Sequence, residues 1–339
     1  MAEALHTKYR PKEWESVYGQ DSVKKVLQKQ IETGNIRNAY LFVGNSGCGK
    51  TTLARLFANK VNNGQGSPIE IDAASNSGVE NVRNIIATAS ERALDCKYKV
   101  IVIDECHAMS SQAWQAFLKC IEEPPAYTIF IFCTTEVKKI PQTIINRVQK
   151  FNFTRIKTSL IKERLDYICR QEGFTNYNEA TDYISKLSNG GMRLAISLLD
   201  KCAGSNKDLS IENVLSCLGE YSQNKLFDLT NAFIDGDERK VIELVEEYYD
   251  NGNEMSTFVD KLISFTMDVL KYSIFKDISL TMFTSADIDA LNYITNIENS
   301  VGYYNYVIDK LTELRSKIKG SDNQLSTVEV CLLQVSRGK

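Results

Sequence analysis

Between residues 40 and 153 short apolar runs alternate with longer stretches in which apolar side chains recur every three or four positions. The runs "YLFVG" (40–44), "IEIDA" (69–73), "YKVIVIDE" (98–105), "YTIFIFCTT" (127–135) and "QKFNF" (149–153) are rich in β-branched and aromatic residues and short enough for buried strands. After the first of them Leu53, Phe57 and Val61 fall at i, i+4 and i+8, one face of a helix. Unbroken apolar strands separated by helices predict a five-stranded parallel sheet covered on both sides, an α/β fold.

Beyond Phe153 the strand pattern stops. "SLIKERLDYICRQEG" reads as a helix with a Ser or Thr at its start and Gly173 near its end. "NEATDYISKLSNGG" and "MRLAISLLDKCAG" give two more, split by Gly190 and Gly191. From 211 onward helices continue: Val241, Leu244, Val245 and Tyr248 share one face, as do Tyr304, Val307, Ile308 and Leu311. The expected organisation is an α/β domain over 1–154, a small helical domain over 155–209 and an all-helical domain over 210–339.

A chain of 339 residues can hold two or three cores, and 43% apolar with 24% charged residues suits a soluble globular protein. No apolar run approaches the roughly 18 residues of a membrane span. The opening "MAEALHTKYRPKEW" lacks the basic-then-apolar layout of a signal peptide. Nine scattered cysteines, with no C-x-x-C and an odd count, argue against a local zinc site and against a disulfide framework. A reducing compartment, the cytoplasm, is the expectation. The net charge of −3 conceals an asymmetry: +4 over 1–150, +2 over 151–210 and −9 over 211–339. Nucleic acid, if bound, is expected on the N-terminal part.

The chemistry begins with "GNSGCGKT": Gly44, Asn45, Ser46, Gly47, Cys48, Gly49, Lys50 and Thr51, followed by Thr52. It matches G-x-x-x-x-G-K-[ST] between a predicted strand and a predicted helix, the context a phosphate-binding loop requires. Its backbone N–H groups would cradle phosphates, Lys50 would reach the β and γ phosphates of ATP, and Thr51 would ligate Mg²⁺. In "KVIVIDECH" an apolar strand ends in two carboxylates: Asp104 for the Mg²⁺ shell, Glu105 for the attacking water. His107 either senses this site or is a packed histidine. Thr134 and Thr135 end the fourth strand, where a hydroxyl could bond the water or the γ-phosphate. Arg193 opens a helix after a double glycine, a poor place for a cation unless an anion is near.

Taken together, "KYRPKEWESVYGQ", the phosphate loop, "IEIDAASNSGVENVR", "KVIVIDECHAMS", "FLKCIEEPP", "IFCTTEVKKIPQTIINRV" and "GGMRLAISLLDK" resemble, in order over about 1–200, the AAA+ clamp-loader ATPases, the bacterial DNA polymerase III gamma/tau family above all. Residues 211–339 resemble that family's helical collar more loosely. The resemblance implies an AAA+ ATPase domain, a helical lid and a collar, and an ATP-driven motor that opens a sliding clamp and loads it onto primer–template DNA. It implies assembly, as a pentamer, with further copies and other loader subunits, and no membrane partner. Arg147 would reach across the interface to the γ-phosphate of a neighbour. Arg10, Pro11, Val17 and Tyr18 match the adenine pocket, Thr135 (or Thr134) the strand sensor and Arg193 the lid sensor. Asn76, Ser77, Arg83, Ser110 and Ser111 match helix starts that track DNA phosphates, or simply cap and solvate those helices. The family's four-cysteine zinc module is missing from "NKVNNGQGSPIEID", so no zinc is expected. Asn146 and Val148 replace Ser and Cys beside the arginine, and the resemblance ends with the collar, as a compact bacteriophage loader would. A non-hydrolysing stator and another AAA+ motor, for branch migration or helicase loading, are the alternatives. Leu94 and Tyr98 are either a clamp contact or core.

Overall fold

The computed structural model describes residues 3–338 apart from 94, 205–206, 219–222, 285–286, 322 and the side chain of 216. Two compact units divide the chain, Met1–Leu209 and Ser210–Lys339.

The first unit is built on five parallel strands: β1 (Ala39–Val43), β2 (Ile69–Asp72), β3 (Lys99–Asp104), β4 (Thr128–Thr134) and β5 (Gln149–Asn152). Their order across the sheet is β2-β3-β4-β1-β5. Successive side chains point to opposite faces. Tyr40, Phe42, Ile129 and Ile131 therefore meet Leu53 and Phe57 on one side, while Leu41, Phe130 and Phe132 meet Trp114 and Phe117 on the other. Both faces are covered, which is why β4 is buried along its whole length and reads as an unbroken apolar run.

The unit's helices are α1 (Leu5–Lys8), α2 (Asp21–Thr33), α3 (Lys50–Val61), α4 (Val79–Ser90), α5 (Ser111–Glu122), α6 (Gln142–Ile145), α7 (Thr158–Glu172), α8 (Asn178–Leu187) and α9 (Met192–Ala203). Gly173 closes α7 in the left-handed region, as its position promised. The start of α7 differs from expectation. Its cap is Lys157, with no side-chain hydrogen bond, and Thr158 and Ser159 lie inside the first turn. The unit includes α7, α8 and α9, so the expected division at 154/155 falls within it.

The second unit contains α10 (Ile211–Leu218), α11 (Gln223–Asp235), α12 (Glu238–Asp250), α13 (Met255–Phe275), α14 (Ile288–Thr295), α15 (Ser300–Ile318) and α16 (Gln324–Arg337). The faces predicted for α12 and α15 are turned inward except at Ile308, which is only partly buried: Val241, Leu244, Val245, Tyr248, Tyr304, Val307 and Leu311 are buried in one core with Phe258, Leu262 and Leu332. Among the described residues no helix is long and apolar enough to cross a membrane.

Candidate nucleotide-binding site

The phosphate loop leaves β1 at Gly44, whose N–H donates to the Thr134 carbonyl at 3.1 Å. A Cβ on Gly44 would stand 2.7 Å from the Cβ and the carbonyl oxygen of Phe153, so no larger residue fits. Gly47 and Gly49 turn the chain with φ of 72° and 104°, and α3 starts at Lys50. Lys50 is buried and its Nζ donates to the carbonyls of Gly44 and Asn45 at 2.8 and 3.0 Å. Thr51 Oγ1 donates to Asp104 Oδ2 at 2.8 Å, and Asp104 Oδ1 accepts from the Glu105 N–H at 2.9 Å. Glu105 has left-handed backbone, φ 46°. Its Oε2 accepts from Thr135 Oγ1 at 3.4 Å and lies 3.3 Å from His107 Nδ1. Thr134 is turned inward: its hydroxyl accepts from the Glu136 N–H and pairs with His107 Nδ1 at 3.2 Å. Of the two threonines, Thr135 is the one placed against Glu105. Beneath the loop, Gln20 donates to the carbonyls of Cys48 (3.2 Å) and Thr154 (2.7 Å) and accepts from the Thr154 N–H at 3.1 Å. Cys48 itself is buried, which raises its thiol pKa.

A cavity opens beside the loop. It is lined by Ser46 to Thr52, Asp104, Glu105, the expected Arg10, Pro11, Val17, Tyr18 and Arg193, and also by Ile156, Arg164, Met192 and Ile196 from the lid side. Gly47 approaches the start of α9 closely: a Cβ there would lie 3.4 Å from Arg193 Cβ. Arg164 is 8% exposed, donates to the Tyr9 carbonyl at 2.6 Å and lies 5.1–5.9 Å from the ring centres of Tyr167, Tyr18 and Tyr9. Burial, then the hydrogen bond with Glu172, pushes the Tyr9 phenol up to about 12. Burial and the neighbouring Arg55 lower the pKa of Arg10. The segment carrying Tyr9 is fastened to the lid helices elsewhere too: the Leu5 N–H donates to Asp200 Oδ2 at 3.1 Å, and Lys8 Nζ to Glu172 Oε1 at 2.6 Å.

Arg147 lies outside this cavity. It follows α6, is partly exposed, donates through Nη1 to the Thr143 carbonyl at 2.8 Å and has Nη2 2.7 Å from Glu122 Oε1. The starts of α4 and α5 meet where the Ser110 N–H donates to the Ser77 carbonyl at 3.2 Å. Ser110 caps α5 through the Ala113 N–H, Ser111 is its first residue, Asn76 donates to the Asp72 carbonyl, and Arg83 is exposed on α4. Tyr98 is partly buried against the Tyr40–Phe57 core, and Leu94 lies outside the described residues. Among the described residues no group of three or more His, Cys, Asp or Glu side chains could hold a metal by itself.

A family model described as "DNA polymerase III, delta subunit" matches residues 67–157, and one described as "DNA polymerase III subunits gamma and tau domain III" matches 209–338. The gamma/tau subunit of Mycoplasma genitalium is 32% identical over 86% of this chain and 53% of its own length. The tau subunit of Bacillus subtilis is 36% identical over 80% of this chain and 52% of its own. Along most of its length the chain is similar to DNA polymerase III gamma/tau subunits. It spans about half the length of these curated relatives. The Thermotoga maritima RuvB Holliday junction branch migration motor shares the AAA+ fold, with a TM-score of 0.52 at 20% identity over 64% of this chain and 78% of that one.

Sequence reasoning placed the loop, the carboxylates, the strand-end threonines and Arg193, and missed Gln20, Arg164 and, among the other cavity residues, Ile156, Met192 and Ile196. Arg164 did carry a signal. It sits with Ile161, Leu165 and Ile168 at i, i+3, i+4 and i+7, a charge on the buried stripe of α7. Gln20 carried none, because its partners are backbone atoms far away in sequence.

Proposed function

We propose that this chain is an ATP-hydrolysing motor subunit of a sliding-clamp loader. The observation that carries the reading is a divided site. Lys50, Thr51, Asp104, Glu105 and Thr135 converge at the ends of β1, β3 and β4, while Arg147 stands partly exposed outside their cavity. The similarity to gamma/tau subunits and the paired helix starts of α4 and α5 support the same reading.

The residues fit the roles as follows. The loop N–H groups and Lys50 hold the triphosphate, Lys50 exchanging its two carbonyl partners for phosphate oxygens. Thr51 and Asp104, a hydroxyl and a carboxylate already in contact, would hold Mg²⁺, the hard oxygen ligands that ion prefers. Bound there with the nucleotide, Mg²⁺ supplies charge neutralisation at the phosphates. Glu105 accepts a proton from the attacking water or orients it, with Thr135 fixing the carboxylate. The base lies against Val17, Tyr18, Ile156 and Ile196, and Arg193 reaches the phosphates from the lid. Arg147 completes the site of a neighbouring subunit, where a guanidinium delivered in trans can raise the rate by ~10³–10⁵.

Hydrolysis thereby depends on assembly. Copies of the chain, with other loader subunits, form a pentameric spiral in the cytoplasm that grips an open clamp when ATP is bound. Asn76, Ser77, Arg83, Ser110 and Ser111 face the phosphates of primer–template DNA, and hydrolysis releases the clamp on it. No zinc takes part. The test is steady-state ATP turnover with and without primed DNA and the cognate clamp. Turnover raised strongly only by the two together is the expected result. High turnover indifferent to the clamp points to another AAA+ motor, and none under any condition, with partner subunits present, to a stator.

A further inference from the structure

The motif "EEPP" (122–125) has so far no role. Glu122 is the last residue of α5 and Glu123 its cap, so two carboxylates stand at the negative end of a helix dipole, where cations are favoured. Lys119 lies in the last turn of α5, and the cation that pairs with the terminal carboxylate is Arg147, with Nη2 2.7 Å from Glu122 Oε1. The two side chains are 47% and 38% exposed, and such a pair adds little to stability. Its value lies in what it does to the guanidinium.

Arg147 follows a single helical turn, and a long side chain there would otherwise sample many rotamers. Glu122 binds one terminal nitrogen and the Thr143 carbonyl the other, at 2.8 Å. Both partners belong to Arg147's own subunit. A guanidinium carries five N–H donors in a rigid fork, so two tethers still leave donors for an anion brought by another molecule. The tether is itself anchored. Pro124 and Pro125 end α5 after the carboxylates, and the Pro125 carbonyl accepts from the Thr128 N–H at 3.0 Å and from Asn38 Nδ2 at 3.3 Å, tying the turn to β4 and to the approach of β1.

We propose that Glu122 is a positioning residue for Arg147: the carboxylate at the end of α5 holds the guanidinium ready for the nucleotide of the adjoining subunit. The "EEPP" turn is the rigid mount of that carboxylate. This inference rests on the reading of Arg147 as an arginine supplied in trans.

The experiment measures kcat, KM for ATP and the melting temperature in the loader assembled from its subunits, for Glu122→Gln, Glu122→Asp, Arg147→Ala and the Glu122→Gln/Arg147→Ala double variant. A misplaced reacting group can cost roughly a hundredfold, so Glu122→Gln is expected to lower kcat by about tenfold or more while KM and melting temperature hold. Glu122→Asp should recover part of the rate, and the double variant should turn over no more slowly than Arg147→Ala alone. Unchanged or raised kcat in Glu122→Gln overturns the proposal, as does a double variant slower than Arg147→Ala. A fall in melting temperature that accounts for the lost rate also overturns it. Wild-type kcat in Arg147→Ala would instead overturn the trans reading beneath it.

Discussion

Lys50 is already hydrogen-bonded to two carbonyls of its own loop, so nucleotide binding as proposed there would be an exchange of partners. Hydrogen bonds to charged groups contribute about 1.5–3 kcal/mol, and Lys50→Ala is expected to weaken ATP binding by roughly ten- to a hundredfold in a fluorescent-nucleotide titration. Glu105→Gln should separate binding from chemistry. ATP affinity stays, and turnover in the assembled loader falls by about 10²–10⁴, the range for loss of a general base; undiminished turnover would exclude Glu105 from that role. Arg164 tests the other end of the cavity. Replacing it with leucine keeps the apolar stripe of α7 but removes the bond to the Tyr9 carbonyl and the three aromatic neighbours. ATP affinity is expected to fall while affinity for tripolyphosphate, which has no base, is retained; equal losses would place Arg164 with the phosphates.

At the scale of elements, the segment before α2 is held to the lid by hydrogen bonds that involve charge. Hydrogen bonds from Lys8 and then Tyr9 hold the Glu172 carboxyl below its ordinary pKa. A depressed carboxylate pKa contributes stability that is complete above the unfolded value, about 4.3, and is lost as pH falls through the folded one. The melting-temperature gap between wild type and Glu172→Gln should therefore narrow on acidification below about pH 4, and a gap independent of pH would show that the tie is not ionic. The alternation of apolar runs with helical periods was enough to expect the parallel sheet, and the glycine pattern was enough to place the loop. What sequence left open was decided by direction and by distance. Thr134 and Thr135 are neighbours on opposite faces of a strand end, and only packing against His107 and Glu136 shows which is turned inward. Glu122 ends α5 and Arg147 stands in the turn after α6, so their pairing has no periodicity to betray it.

For the whole molecule, the division between Leu209 and Ser210 makes a concrete expectation. Residues 1–209 and 210–339, produced separately, should each melt cooperatively, with nucleotide binding in the first alone. Salt-dependent binding of primed DNA should follow the first piece too, since residues 211–339 carry a net charge of −9. A second piece that binds DNA would refute that assignment. The bond between the Leu5 N–H and Asp200 closes a separation of 195 residues. Ribosomes add about 5–20 residues per second, so the beginning of the nascent chain waits at least about ten seconds for its partner to be synthesised. During that interval the cavity has a floor but no far wall. On the proposed reading ATP would stabilise the finished subunit but could not template the folding of the growing one, since the native partner of the Leu5 N–H has yet to be synthesised.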